Sequence, residues 1–158
     1  MIWIAVIGIM AIVGSIFMLK PSARDSRLSK LRFEAGRQGI QLKQFSWEPD
    51  PKKTGIQNTI MATSYALMRP ESNKAGELLY SVVAQKGWDT EGLPEGLSWH
   101  KQGTTQDSEK VKKLLPQLED ELLLLEVWEN RVLLMAKENP TANAQAYKHF
   151  LEGFLNKE

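Results

Sequence analysis

The first segment of the chain, MIWIAVIGIMAIVGSIFML, constrains the molecule most, because it contains no charged side chain. A helix over residues 1–19 rises about 1.5 Å per residue and covers roughly 28 Å, close to the hydrocarbon thickness of a bilayer. Ser15 is its only polar side chain, so the polar stripe of a soluble helix is missing, and Trp3 stands where an interfacial indole is favourable. We therefore expect a transmembrane helix over residues 1–19 and not a core helix.

A cleaved secretory signal is the alternative interpretation of this segment. Such a signal needs basic residues before a shorter apolar run and small residues at the cleavage site. No Lys or Arg precedes the run, and it ends in the bulky sequence FMLK at residues 17–20. The pattern favours an uncleaved anchor.

A basic flank follows the apolar run, with seven basic and two acidic residues in positions 20–43. By the positive-inside rule such a flank stays in the cytoplasm, and each Lys or Arg near an anionic leaflet gains about 1 kcal/mol. We expect a single-pass protein with its N-terminus outside and its C-terminal domain in the cytoplasm. The residues expected to contact the membrane surface are Lys20, Arg24, Arg27, Lys30, Arg32 and Arg37.

Small residues lie along one side of the predicted span, at Ala5, Gly8, Ala11 and Ser15. Such a side lets a second helix approach closely, either from another copy of the chain or from a membrane-protein partner. Small residues are also common in membrane helices generally, so the pattern leaves helix–helix contact and simple lipid exposure both open.

Composition after the span fits one tethered domain in a chain of 158 residues. The absence of cysteine excludes disulfides, iron–sulfur clusters and thiolate zinc sites within the chain. Residues 44–158 carry thirteen basic and seventeen acidic side chains, so the positive charge is concentrated beside the predicted span. We expect no nucleic-acid partner, because no basic face with interleaved aromatic residues continues into the domain.

Local patterns predict the first half of this domain. Ser22 and Asp25 form a capping pattern for a basic juxtamembrane helix within residues 20–39, which Gly36 and Gly39 can end. IQLKQFSW then predicts a strand that has a bulge or two partly covered faces, and EPDPKKTG an exposed loop. Further strands are expected at about residues 57–68 and around Leu79, Val82 and Val83, pairing with the first as a meander, before an irregular segment with several glycines.

The second half has clearer patterns. Asp107 is expected to cap a short helix that Pro116 ends, and the apolar runs 122–128 and 131–136, joined by Glu129-Asn130, predict a tight hairpin. A last helix opening at Pro140-Thr141 has an apolar stripe of Tyr147, Phe150, Leu151, Phe154 and Leu155. The predicted fold over residues 40–158 is a small two-layer α+β domain with an antiparallel sheet and packed helices.

Catalytic and cofactor motifs are absent from the sequence. His100 and His149 lack metal-ligand spacing, and neither a phosphate-binding loop nor a nucleophile elbow is present, so we expect no cofactor and no metal. Residues 119–121 (EDE) favour a solvated turn over a metal site. A polar cleft near His100, Asp89 and Glu91 is the one place left for an enzyme hypothesis.

The large aromatic residues of the domain can be interpreted either as core residues or as the lining of a binding groove. A core role is favoured over a binding groove, because large aromatics dominate small cores, although tryptophan is also enriched at interaction surfaces. The residues concerned are Phe45, Trp47, Trp88, Trp99 and Trp128.

The first quarter of the chain, an apolar run followed directly by KPSARDSRLSKLR, resembles the bacterial YajC family of translocase-accessory membrane proteins. In that family the span is followed by a proline, a basic helix and a small cytoplasmic β-rich domain. The chain is also similar to single-span proteobacterial inner-membrane proteins grouped with that family on this architecture. The family's glycine-rich segment G-D-x-V-x-T-x-G-G has no counterpart here, where GIQLKQFSWEPDPKKTG stands, so no functional residue is carried over.

The leading hypothesis is a non-enzymatic interaction or accessory protein of the bacterial inner membrane, acting with a translocase or another membrane complex. The alternatives are a membrane-tethered enzyme and, if the topology is reversed, a periplasmic envelope assembly factor.

Overall fold

The computed structural model of the chain describes residues 1–70 and 76–156. The chain divides into two compact units, Met1–Lys30 and Leu31–Glu158. Helix α1 (Ile2–Met18) belongs to the first unit, and helix α2 (Ala23–Arg37) begins in it. Ser22 and Asp25 cap α2 reciprocally, with each backbone N–H donating to the other side chain, which confirms the predicted cap.

Helix α1 buries none of its side chains. Its one polar side chain, Ser15, donates a hydrogen bond of 2.8 Å to the carbonyl oxygen of Ala11. Within the described residues no single helix is long and apolar enough to count as a membrane span; α1 and α2, bent by 52°, meet that requirement only together. The single transmembrane helix therefore stays a prediction.

The second unit is built on a six-stranded sheet with the order β1-β2-β6-β5-β3-β4, in which every pair is antiparallel. The strands are β1 (Gln41–Trp47), β2 (Ile60–Met68), β3 (Leu78–Val83), β4 (Ser98–Lys101), β5 (Leu122–Trp128) and β6 (Arg131–Ala136). The helices are α3 (Pro51–Thr54), α4 (Thr105–Leu114) with a 3-10 turn at Leu115–Leu118, and α5 (Ala144–Leu155). These elements confirm the α+β fold with an antiparallel sheet and packed helices.

The predicted meander of the first three strands is wrong. Strand β2 pairs with β1 and β6, whereas β3 pairs with β5 and β4. The β5–β6 hairpin, which was predicted correctly, lies between β2 and β3 because its apolar residues are buried on both faces and need the centre of the sheet.

Several element boundaries also differ from the predictions. Strand β4 lies in the segment predicted to be irregular, and the short helix α3 lies in the predicted loop. Thr104, not Asp107, is the N-cap of α4, and Asp107 completes a capping box by accepting from the Thr104 backbone N–H at 2.7 Å. The last helix begins at Ala144 after the cap residue Asn143, not at Pro140.

The sheet has two differently covered faces. We call one the helix-covered face, because strand residues such as Val82, Leu125 and Leu134 pack there against α2, α4 and α5. The buried stripe of α5 contributes Tyr147, Phe150, Leu151 and Phe154 to this core. The other, which we call the second face, holds a smaller cluster composed of Trp47, Ile56, Ile60, Val83, Leu124 and Met135.

The sheet curves toward its second face. Strands β1 and β4 are at opposite edges, which would lie roughly 24 Å apart in a flat six-stranded sheet. The rings of Trp47 and His100 nevertheless approach to 4.8 Å between centroids, and Asp50 N donates to His100 Nε2 at 3.1 Å. The two edges therefore meet at one end, where the segment leading to β2 closes over the second face.

Candidate functional site

The surface of α1 is the first candidate site. The predicted contact residues Ala5, Gly8, Ala11 and Ser15 are all exposed, and a Cβ atom added at Gly8 would meet nothing within 4 Å. Because the hydroxyl of Ser15 is bonded within the helix, this side of α1 presents no unpaired polar side chain. The arrangement leaves room for the close approach of another helix.

The predicted membrane-surface residues do not form one uniform set. Lys20, Arg24, Lys30 and Arg37 are exposed, whereas Arg27 is half-buried. Arg32 lies in a bidentate ion pair with Glu138, in which Nε and Nη2 donate at 2.9 and 2.7 Å. The guanidinium of Arg32 therefore binds within the domain, and surface contact by the other residues stays a prediction.

The Arg32–Glu138 pair is part of a half-buried polar network. The hydroxyl of Tyr65 donates to the same Glu138 carboxylate, and burial together with this carboxylate raises the pKa of Tyr65. The Glu138 carboxylate likewise raises the pKa of Arg32. Glu138 has a left-handed backbone with φ of 55°, which costs about 1–2 kcal/mol in a non-glycine residue. We infer that the ion pair helps to hold this turn.

A second carboxylate lies beside this network. The Oε2 atom of buried Glu121 accepts from the Tyr147 hydroxyl at 2.6 Å, and Oε1 accepts from Asn139 N at 3.0 Å. The rings of Tyr65 and Tyr147 pack edge to face with centroids 4.9 Å apart. Burial, followed by the Glu121 hydrogen bond, raises the pKa of Tyr147. The two tyrosines therefore remain protonated donors.

Glu126 is the buried charge of the second face. It accepts from the indole N–H of Trp128 at 3.0 Å and from that of Trp47, while Arg131 stacks on the Trp128 ring at 4.1 Å from its centroid. Burial raises the pKa of Glu126, and these neighbours oppose the shift. Ser81 lies opposite Glu126 in the β3–β5 ladder, and its buried hydroxyl has no hydrogen-bond partner among residues 1–70 and 76–156.

The hypothesised cleft near His100 is occupied by structural contacts. His100 accepts from Asp50 N, and burial lowers the pKa of its imidazole. Asp89 caps a turn by accepting from Glu91 N at 3.2 Å, and the carbonyl oxygens of Asp89 and Glu91 accept from the backbone and indole N–H groups of Trp99. These three residues thus hold the loop and β4 in place.

The tryptophans divide between core and surface. Trp47 and Trp99 are buried, and Trp128 is half-buried. Trp88 is 72% exposed, and its ring covers Gly55 so closely that an added Cβ would lie 2.5 Å from the indole nitrogen. A cavity of about 590 Å³ adjoins this ring. Only Trp88 is therefore a surface candidate, and its groove is lined further by Gln57, Asn58, Ala84, Gln85, Lys86 and Gly87.

The acidic run and the second histidine form no metal centre in the described part of the chain. Glu119 and Asp120 are exposed, whereas Glu121 points into the Tyr147 network. His149 Nε2 lies 2.8 Å from the amide of Gln145. Across residues 1–70 and 76–156 no three His, Asp or Glu side chains are grouped to hold a metal ion.

Sequence analysis did not identify the interior polar contacts of Tyr65, Glu126 and Glu138. Glu126 had a visible signal, because it is the one charged residue in the run LLLLEVW. Tyr65 and Glu138 had none, since their partners are far away in the chain. Comparisons of the chain with protein-family models, curated proteins and solved structures find no match.

Proposed function

We propose that the chain is a single-pass, membrane-anchored, non-enzymatic interaction protein of the bacterial inner membrane, whose α+β domain binds a partner within a membrane complex. The observation that carries this proposal is α1, which exposes apolar side chains on every side and buries none. A helix that is apolar all round is stable in a nonpolar environment, and its 17 residues fall at the short end of membrane-span lengths.

The orientation that we propose places the domain in the cytoplasm. The support is the basic flank after α1, because cytoplasmic ends of spans carry excess Lys and Arg. A C-terminal reporter that is active only outside the cytoplasm should give no signal. A positive signal would overturn this topology and favour the periplasmic assembly factor.

Interaction is favoured over catalysis by the contacts of His100, Asp89 and Glu91. The ring nitrogen Nε2 of His100 accepts from a backbone amide, and the Asp89 carboxylate caps a local turn. A protein translocase is the complex that the resemblance of residues 1–32 to the YajC family suggests.

In-cell crosslinking of the full chain at native abundance tests the proposal. We expect reproducible capture of subunits of an inner-membrane complex, and the capture should weaken in Gly8→Leu, which blocks the small-residue side of α1. Gly14→Leu is the matched control, because an added Cβ at either glycine meets nothing within 4 Å but Gly14 lies off that side. Capture of no other membrane protein would contradict the interaction function.

A further inference from the structure

The segment of α2 from Leu31 onward has two unlike sides. Leu31 and Ala35 are buried in the core of the domain, and Arg32 binds Glu138. On the other side Phe33 is 67% exposed. The inward side is therefore fixed by packing and an ion pair, and the Phe33 side faces away from the domain.

The neighbours of Phe33 along the helix are basic. Lys30 and Arg37, at positions i−3 and i+4, share its side of the helix and are both exposed. Among the described residues neither forms an ion pair with an acidic side chain. Glu34 is the one acidic residue between positions 30 and 37. An exposed aromatic ring thus stands between two available cations.

We propose that this side of α2 lies on an anionic lipid surface, with Phe33 inserted among the headgroups and Lys30 and Arg37 against lipid phosphates. The inference rests on the proposed membrane anchoring and adds Phe33 as a lipid-contacting residue. Interfacial helices combine an aromatic or aliphatic residue that enters the headgroup region with Lys and Arg that bind anionic lipid.

Charge and composition favour lipid over a protein surface at this position. Lys30 and Arg37 flank Phe33 and are exposed, whereas Arg32 is turned toward Glu138, so the Phe33 side carries the positive charge that complements an anionic leaflet. Protein hot spots are enriched in Trp, Tyr and Arg that cluster in well-packed, desolvated pockets, whereas Phe33 is the only large apolar residue on its side of the helix. Lys and Arg stems can lie along the apolar boundary while their charged ends stay with the headgroups.

The absence of cysteine allows a direct test in the full chain. Phe33→Cys is labelled with an environment-sensitive aromatic fluorophore and reconstituted into vesicles of phosphatidylcholine with or without phosphatidylglycerol. Met61→Cys, at a side chain 82% exposed on β2, is the matched control. We expect the label at position 33 alone to shift to shorter wavelength and to resist an aqueous quencher severalfold, only in phosphatidylglycerol vesicles and less at high salt.

The outcomes separate the two proposals. Chains that float with vesicles but show equal quenching at both positions keep the anchor and overturn the Phe33 contact. Protection at position 33 that appears in native membranes but not in pure vesicles assigns this side to a protein and also overturns it. Chains that do not float remove the anchor and the inference together. Adding Lys30→Ala and Arg37→Ala to the labelled chain should abolish the protection while the chains still float.

Discussion

Both faces of the sheet hold glutamate side chains, but the partners of their carboxylates differ. On the helix-covered face, Glu138 binds the guanidinium of Arg32 and the hydroxyl of Tyr65. On the second face, Glu126 is held by the neutral indole N–H groups of two tryptophans.

The difference concerns what each carboxylate connects. The Arg32–Glu138 pair joins residues 106 positions apart, and Tyr147–Glu121 joins residues 26 positions apart. Glu126 joins two strands, because it accepts from Trp128 on its own strand β5 and from Trp47 on β1. The helix-covered face therefore uses its carboxylates to position helices on the sheet, whereas Glu126 links strands β5 and β1 through neutral donors and has a raised pKa. The two faces should respond differently to truncation, charge removal and pH.

The largest expected difference comes from truncating one aromatic residue on each face. Phe150 on α5 is fully buried and Phe45 on β1 is half-buried. We expect Phe150→Ala to lower the free energy of unfolding by about 3–5 kcal/mol and Phe45→Ala by about 1–2 kcal/mol, because the cost of truncation scales with lost burial and the cavity left. Urea unfolding measures both. Equal losses would contradict the expected effect of the difference in burial between the two positions.

Removing the Arg32 cation on the helix-covered face should cause the next largest loss in the free energy of unfolding. Arg32→Met leaves the Glu138 carboxylate and its strained turn without a cation, and we expect a loss of about 1–2 kcal/mol, reduced by the partial exposure of Arg32. Arg37→Met, at an exposed position on the same helix, should change stability by less than about 0.5 kcal/mol. A double-mutant cycle with Glu138→Gln measures the coupling energy between Arg32 and Glu138. A coupling near zero would mean that this pair does not stabilise the packing of α2 on the sheet.

A glycine beside the second face tests how that face is closed. Gly55 has a left-handed backbone and lies under the Trp88 ring, whereas Gly96 is left-handed in open space. Gly96→Ala should cost about 1 kcal/mol from backbone strain alone, and Gly55→Ala about 1–2 kcal/mol because the Cβ must also displace the indole. A change in tryptophan fluorescence on Gly55→Ala, absent for Gly96→Ala, checks the cause. Equal costs and unchanged fluorescence would contradict it.

The parts of the fold that could be predicted are those with a local pattern. The β5–β6 hairpin follows from two apolar runs around Glu129-Asn130, and the buried stripe of α5 follows from its helical spacing. Strand order could not be predicted the same way, because nothing in β2 or β3 indicates that a later hairpin separates them. Strand β4, with four residues, is too short for periodicity to distinguish it from a loop.

The same limit applies to the candidate sites. The basic flank and the small residues of α1 are sequence-local, so they could be named before the structure. The pairing of Arg32 with Glu138 could not, because only the fold brings them together. Phe33 could not be identified from the sequence either. Its exposure becomes informative only because the burial of Leu31 and Ala35 shows which side of α2 faces the domain.

Substitution of Glu126 should give the smallest change in the free energy of unfolding. The sign of its pH dependence distinguishes the second face most clearly. Burial raises the pKa of the folded carboxyl above the ordinary value of 4.5, so the native state binds the proton more tightly than the unfolded state does. The contribution of Glu126 to stability is therefore greatest below pH 4.5 and falls as the pH rises through the folded pKa.

Replacing the carboxyl by an amide tests this sign. At neutral pH Glu126→Gln removes the desolvation cost of the charge but weakens the hydrogen bonds from Trp47 and Trp128, so the net change should be small. The informative quantity is the slope: between pH 4 and 7 the stability of the wild type should fall relative to that of Glu126→Gln. Urea unfolding across this range measures both chains. If the wild type instead gains stability relative to the variant, Glu126 is held as a favourable charge, and the contrast between the two faces is wrong.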